Sequence, residues 1–416
     1  MTQDKAFTIL KSGYNVFLTG QAGTGKTYLL NQFIKHLRKE KKRVAITAST
    51  GIAATHIKGT TIHSWSGIGI KQEITSKDIN KLKRNEQFMD RIHQTDVLII
   101  DEISMLHKDQ LDSIHYILEA CLGDPRPFGG LQVVLCGDFF QLPPVGKKNE
   151  RSKDKFCFMS KSWQFADFKI CYLTKQYRQT KNDLITILQE IRTQNVSSKS
   201  IELLNNAAKT QFKNKIEPTK LYTHNIDVDK INLERLSQLK TESYFYEAKT
   251  KGDKTIVNTL KKQVLAPNKI ELKIGAKVMF VKNNTEKNIV NGTLGKVIDF
   301  SVKDYPIVKT TNGRTITVYR EFWIIEDENG NEIASYNQLP LRLAWAITIH
   351  KSQGMTLDVV EMDLTKTFEP GQGYVALSRL KDIDNLLLKG YNEKSLEVDT
   401  LALKADKRFK ELSESL

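Results

Sequence analysis

The sequence has no uninterrupted apolar run approaching the roughly 18 residues that a membrane-spanning helix needs. Its start, Met1-Thr2-Gln3-Asp4-Lys5, has no apolar core of the kind that directs secretion. The expectation is therefore a cytoplasmic chain, nucleoid-associated in a bacterium, with no targeting segment and no membrane partner. Cysteine is scarce: Cys121, Cys136, Cys157 and Cys171 include no C-x-x-C pair, and no histidine follows at zinc-finger spacing. That pattern argues against a disulfide framework or a structural metal and fits a reducing compartment. Cys136, inside Val133-Val134-Leu135-Cys136, reads as a small buried hydrophobe. No internal repeat or low-complexity segment stands out. Acid is short relative to base, leaving a formal charge of +15. Such an excess concentrates polyanions, which makes nucleic acid the first partner to consider and an anionic membrane surface the second.

What is present begins with composition. The 416 residues, 40% hydrophobic and 8% aromatic, give room for two or three globular domains. Directly after the apolar run Val16-Phe17-Leu18 comes Gly20-Gln21-Ala22-Gly23-Thr24-Gly25-Lys26-Thr27, or G-x-x-x-x-G-K-T. Gly20, Gly23 and Gly25 free the backbone to aim successive N–H groups inward, and a helix starting near Lys26 adds its positive end. Lys26 can place a charge on β- and γ-phosphates, and Thr27 can offer a hydroxyl to Mg²⁺. Residues 28–39 read as that helix, with Leu29, Leu30, Phe33, Ile34 and Leu37 on one face. The combination of strand, loop and helix is a nucleotide phosphate site.

From residue 16 a unit of short apolar strand, polar turn and helical stretch recurs, with strands at 16–19, 44–48, 97–101 and 133–137. These runs are apolar on both faces, as buried parallel strands are, so the fold class is α/β, and ligands are expected beyond the carboxyl ends of the strands. Between Ser66 and Gln94 the pattern lapses into a basic stretch that reads as an insertion. After about Gly275, turn signals at Asn291-Gly292, Asn312-Gly313 and Asn329-Gly330 and the alternation Thr315–Tyr319 predict a small antiparallel barrel over roughly 296–338. The run Leu343–Ile349 then resumes a second α/β domain. Residues 196–215 and 400–416 read as polar helices with no assignable chemistry.

Three more features belong with the phosphate site. Asp101-Glu102 ends a buried strand, where the first carboxylate can hold Mg²⁺ and the second can polarise an attacking water. Gln141, in Gly137-Asp138-Phe139-Phe140-Gln141-Leu142-Pro143-Pro144, ends the next strand and offers an amide to a γ-phosphate. Arg178 and Arg379 lie far along the chain. Planar guanidiniums from a second domain can meet the charge of a phosphoryl-transfer transition state, although by spacing alone either arginine could be a surface ion-pair partner.

The ordered motifs G-Q-A-G-T-G-K-T, S-T-G-I-A-A-T-H-I-K-G-T-T-I-H-S-W, L-I-I-D-E-I-S-M-L, P-F-G-G-L-Q-V-V-L-C-G-D-F-F-Q-L-P-P-V, L-T-K-Q-Y-R-Q, T-I-H-K-S-Q-G-M-T-L-D and Y-V-A-L-S-R resemble superfamily-one helicases of type B. The resemblance is greatest to the PIF family, with RecD-like and conjugative helicases next. A reading of another class is an ATP-switched nucleic-acid-binding factor without unwinding; an intact Glu102 argues against it.

The resemblance implies two RecA-like P-loop domains of parallel sheet and flanking helices, over residues 1–168 and 169–416. A small wedge is inserted at about 66–92 and a small β-barrel at about 296–338. It implies ATP and Mg²⁺ as cofactors, with 5′ to 3′ movement of a monomer on single-stranded DNA. Tailed or forked duplexes, DNA–RNA hybrids and guanine quadruplexes follow as substrates, and roles in repair, recombination and telomere maintenance as contexts. Gln3 would read adenine, and Arg178 and Arg379 would be arginine fingers. The nucleotide-contact set is Gln3, Gly20, Ala22, Gly23, Thr24, Gly25, Lys26, Thr27, Tyr28, Gln141, Arg178, Gly354 and Arg379. Lys26, Asp101, Glu102, Gln141 and the two arginines carry catalysis, and Thr27 and Asp101 hold the metal.

For DNA, Thr50, Gly51, Thr60, Thr61 and His63 are placed to contact backbone phosphates from the first domain. Thr223, Asn225, Lys282, Asn283, Thr348, His350 and Lys351 match them by family position in the second. Trp65, Phe139 and Phe140 are the candidates for sequence-tolerant stacking on bases.

Overall fold

The computed structural model describes all residues except 70, 145–149, 180–181, 211–217, 223–227, 285–286, 288, 290, 312 and 327–331. Its contacts divide into two units. The first comprises Met1–Arg178, Ile325–Ile333 and Asp399–Leu416; the second comprises Gln179–Ile324 and Ala334–Val398.

The first unit is built on six strands, β1 (Val16–Gly20), β2 (Val44–Ala48), β3 (Thr60–Thr61), β4 (Val97–Asp101), β5 (Gln132–Cys136) and β6 (Lys169–Leu173), in the order β3-β2-β4-β5-β1-β6. Every pairing is parallel. Helices α1 (Gln3–Lys11), α2 (Lys26–Lys39), α3 (Gly51–His56), α4 (Ile62–Trp65), α5 (Ser76–Lys83), α6 (Glu86–His93) and α7 (Lys108–Leu122) follow in order. The strand side chains alternate between two buried layers. Val16, Leu18, Ile99 and Val134 join Leu29, Leu30, Phe33 and Ile34 of α2 in one core. Phe17 points the other way, its ring 5.3 Å from Phe139, 5.0 Å from Trp163 and 5.1 Å from Phe409. Burying both faces requires apolar residues at every strand position, which is why the strands read as unbroken runs.

The basic stretch after Ser66 forms α5 and α6. A capping box opens α5, in which Thr75 and Asp78 satisfy each other's backbone N–H groups. The expected domain boundary at 168/169 falls immediately ahead of β6, which pairs with β1 inside the first sheet. The C-terminal helix Thr400–Glu414 also belongs to the first unit: the Tyr172 hydroxyl of β6 donates to Asp406 at 2.9 Å, and the Tyr172 N–H donates to Ser413 Oγ at 3.0 Å.

The second unit holds β7 (Thr219–Tyr222), β8 (Tyr244–Glu247), β9 (Lys249–Gly252), β10 (Lys269–Leu272), β11 (Lys277–Phe280), β12 (Leu294–Phe300), β13 (Pro306–Thr310), β14 (Thr315–Thr317), most of β15 (Glu321–Glu326) and of β16 (Glu332–Gln338), whose ends at 325–326 and 332–333 group with the first unit, β17 (Leu341–Leu343), β18 (Ala346–Thr348), β19 (Val360–Leu364) and β20 (Leu386–Tyr391). A parallel sheet β18-β7-β19-β20 is the α/β part. An antiparallel sheet β14-β13-β12-β11-β17 packs Val278, Val297, Val308 and Leu341 into a core of its own. This β module is wider than the expected 296–338: it starts at β11 and closes with β17, whose Leu341 pairs with Phe280. Among the described residues no helix is long and apolar enough to cross a membrane.

Candidate active site

Neighbouring strand ends converge because β5 lies between β4 and β1. The register Val16–Val134 and Ile99–Val134 brings Gly20, Asp101 and Cys136 to the same carboxyl edge. The loop leaving β1 uses its glycines as the sequence requires: Gly20, Gly23 and Gly25 have φ of 143°, 92° and 81°. Gly25 is the left-handed N-cap of α2, and a Cβ there would collide with Gln3 Nε2. Gln3 donates to the carbonyls of Thr24 and Gly25 at 3.3 and 3.5 Å, so α1 places its first residue against the phosphate loop. Lys26 Nζ donates to the carbonyls of Gly20 and Gln21 at 2.8 and 3.0 Å. Ala22 and Thr24 are buried within the loop; Thr27 and Tyr28 are exposed at the start of α2.

Asp101 is buried, and burial pushes its carboxyl upward against a hydrogen bond from the Cys136 thiol, the Glu102 N–H and the field of Lys26. The Glu102 N–H reaches Asp101 Oδ1 at 2.8 Å. Glu102 itself sits at φ 51°, a left-handed conformation costly for a non-glycine residue. Ser49 fastens it, donating from Oγ to the Glu102 carbonyl at 2.5 Å. Gln141 is 6% exposed and held by its N–H to Asp138 O at 3.0 Å. Among the described residues its Oε1 has no hydrogen-bond partner.

The segment after β6 closes on the loop. The Tyr177 N–H donates to Gly23 O at 2.9 Å and Gln176 Nε2 to Gln21 Oε1 at 2.9 Å. Arg178 is thereby held one residue from an anchored backbone. In the second unit Arg379 is 1% exposed, with Nε on Val375 O at 2.9 Å and Nη2 on Ser378 Oγ at 2.8 Å. Gly354 is exposed at φ 74°.

This arrangement fits a magnesium nucleotide. A buried carboxylate whose charge is unfavourable as it stands, a hydroxyl-bearing residue at the helix start, an unpartnered buried amide oxygen and a glycine cradle are what a cation-bound triphosphate would satisfy. Sequence reasoning overlooked Cys136 as more than a hydrophobe, and Gln176 and Tyr177 altogether. Their signal was present in position: Cys136 ends the strand between Asp101 and the loop, and Gln176-Tyr177 directly precede Arg178.

The DNA candidates divide. Thr50 and Gly51 open α3, where Thr50 Oγ1 accepts the Ala53 N–H at 3.3 Å; Thr60 and Thr61 form β3, and Thr61 caps α4. His63 is half-buried, and burial lowers its pKa against a hydrogen bond with Gln110. Trp65, at 3% exposure, is a core aromatic, not a stacking platform. Phe139 and Phe140 are corrected likewise: at 5% and 2% exposure both are interior, and Phe139 packs on Phe17, Phe156 and Phe158. Thr348 is buried at 1%, so its hydroxyl is not presented to solvent. Lys282 is half-buried, paired with Glu321 at 3.3 Å and set over the Trp323 ring. Asn283 is exposed, its Oδ1 accepting the Asn291 N–H at 2.7 Å. His350 is half-buried, with its pKa lowered by burial. Thr223, Asn225 and the Lys351 side chain lie outside the described residues.

Comparison with known proteins agrees with this geometry. A family model described as "PIF1-like helicase" matches residues 3–214, and one described as "DNA helicase Pif1, 2B domain" matches residues 256–300. The chain is 48% identical to the ATP-dependent DNA helicase Pif1 of Psychrobacter sp. (strain PRwf-1), over 99% of this chain and 71% of that protein. It superposes on Bacteroides sp. Pif1 in complex with ADP-AlF4 with a TM-score of 0.85 and 34% identity, covering 98% of this chain and 96% of the other. For Bacteroides Pif1 bound to ssDNA the TM-score is 0.67 at 35% identity, covering 98% and 95%.

Proposed function

Because this chain belongs to the PIF1-like helicase family, we propose that it is an ATP-dependent DNA helicase that moves 5′ to 3′ on single-stranded DNA and unwinds tailed and forked duplexes. DNA–RNA hybrids and guanine quadruplexes are proposed as further substrates, and the monomer as the working form. The observation that supports the chemistry is the convergence of the phosphate loop, Asp101-Glu102 and Gln141 on adjoining strand ends of one parallel sheet.

In this reading the loop N–H groups and Lys26 bind the β- and γ-phosphates, and Gln3 orients the base. Thr27 and Asp101 would hold Mg²⁺, which neutralises charge developing on the phosphates. Glu102 takes the proton of the attacking water, Gln141 registers the γ-phosphate, and Arg178 and Arg379 supply charge to the transition state. ATP-driven closure of the two units through these arginines, and opening on hydrolysis, would move one DNA grip past the other.

The deciding experiment compares duplexes with a 5′ or a 3′ single-stranded tail. ATP-dependent unwinding of the first and not the second is expected. Unwinding from the 3′ tail would refute the direction, and ATP turnover without unwinding of either would favour an ATP-switched binding factor.

A further inference from the structure

The face of the β11–β12–β13 sheet opposite its valine core carries a row of lysines. Lys277 pairs directly with Lys296, and Lys296 with Lys309, so three lysines occupy neighbouring register positions on three adjacent strands. Their neighbours Val278, Val297 and Val308 point into the core, so strand alternation fixes all three lysines on the opposite face. Like charges directly opposite one another across a sheet are destabilising. The row borders a cavity of about 650 Å³, also lined by Arg235, Ile298 and Trp345, with no carboxylate among its lining residues. At the cavity's edge the Asp358 carboxylate accepts the Thr311 hydroxyl at 2.7 Å. Lys277 is 7% exposed, whereas Lys296 and Lys309 are exposed and, among the described residues, in no ion pair. Two exposed like charges in direct register, Lys296 and Lys309, with no ion pair among the described residues, are arranged for an anion from outside.

We infer that Lys296 and Lys309, the exposed members of this row, form a second DNA-backbone site, taking successive phosphodiesters of a strand laid across β12 and β13. On adjacent strands about 4.8 Å apart, the two long side chains can each reach one of two neighbouring phosphates. The site is separate from the proposed contacts Lys282 and Asn283. Those lie beyond the far end of β11, five and six residues along the chain from Lys277. Ile298, 40% exposed beside the row, gives the attached sugars an apolar surface.

The inference rests on the chain being a DNA-binding helicase, but its test needs no turnover. The full-length protein is acetylated at lysine, without nucleotide, in the presence of oligo-thymidylate, polyglutamate or inorganic phosphate, and each lysine is quantified by mass spectrometry. Oligo-thymidylate is expected to protect Lys296 and Lys309 severalfold while leaving exposed Lys303, in the β12–β13 turn, unchanged. The same footprint is expected in Lys26→Ala, so loss of ATPase function and loss of this site read out separately. The Lys296→Gln, Lys309→Gln double variant should reduce the slope of log affinity against log salt by about 1.4, or roughly 0.7 for each single-strand phosphate that is no longer neutralised. Both side chains are exposed, and a melting curve confirms that the variant folds. No protection by DNA, protection by polyglutamate or inorganic phosphate without protection by DNA, or an unchanged salt slope would overturn the inference.

Discussion

Glu102 shows how one residue is held for chemistry. A left-handed backbone at a non-glycine residue costs on the order of 1–3 kcal/mol, and the hydrogen bonds to Asp101 and from Ser49 offset it. The strain turns the chain sharply at the strand end, so the two adjacent carboxylates can serve different partners. Glu102→Gln keeps the backbone and removes only the base. Turnover should fall by about 10²–10⁴ with nucleotide affinity retained, as steady-state ATPase and nucleotide titration would report. Lys26→Ala should lose ATP turnover while single-strand binding persists; DNA-stimulated turnover in that variant would sink the assignment. The loop's position was legible from its glycine spacing, and the acidic pair's place at a strand end from the apolar run before it, read together with the loop upstream. Phe139 and Phe140 were not: a motif run does not say which way a side chain faces, and the aromatic layer that receives Phe139 comes from Phe17, Phe156, Phe158, Trp163 and Phe409, which the motif does not contain.

At the scale of elements, the helix Thr400–Glu414 was legible as a polar helix without a role, and its role lies in what it covers. Phe409 places its ring 5.1 Å from Phe17 and 6.0 Å from Trp163, and the helix meets β6 some 240 residues away in sequence. No local pattern could reveal that pairing, because the partner is chosen by which sheet face remains open. Phe409→Ala should cost about 3–5 kcal/mol, the range for removing a large buried aromatic. The loss should appear as faster amide exchange across residues 400–414 and β6. A single melting midpoint would be ambiguous in a chain of two units. The capping box of α5 makes a separate prediction. Lys71, then the backbone and hydroxyl of Thr75, hold the Asp78 carboxyl down at about 2. A lowered carboxylate keeps its contribution above its ordinary value and loses it as pH falls through the folded value. The Asp78 carboxyl resonance should therefore stay flat between about pH 5 and 3. In Lys71→Ala it should begin to titrate within that window.

At the scale of the whole molecule, the chain passes from one unit to the other between Arg178 and Gln179. On the first side, Gln176 and Tyr177 are tied to the phosphate loop. On the second side, Gln179 Nε2 donates to the carbonyls of Ser378 and Leu380, the two neighbours of Arg379. One short segment thus has its first half anchored to the loop and its second half to the backbone around the other arginine. The sequence shows the two arginines two hundred residues apart and cannot show either hydrogen-bond set, because both are long-range. Each arginine should be needed for turnover: Arg178→Ala and Arg379→Ala are expected to lower DNA-stimulated ATP hydrolysis by about 10³ or more, the scale of an arginine finger. Arg379→Lys should not rescue it, since an ammonium lacks the planar fork that reaches two partners at once. The diagnostic variant is Gln179→Ala, which removes no catalytic group. If the peptide couples the two surroundings, ATP should still bind Gln179→Ala with near-normal affinity, while stimulation of turnover by single-stranded DNA falls. Equal loss of basal and DNA-stimulated rates would instead mean that Gln179 only supports local folding around Arg379.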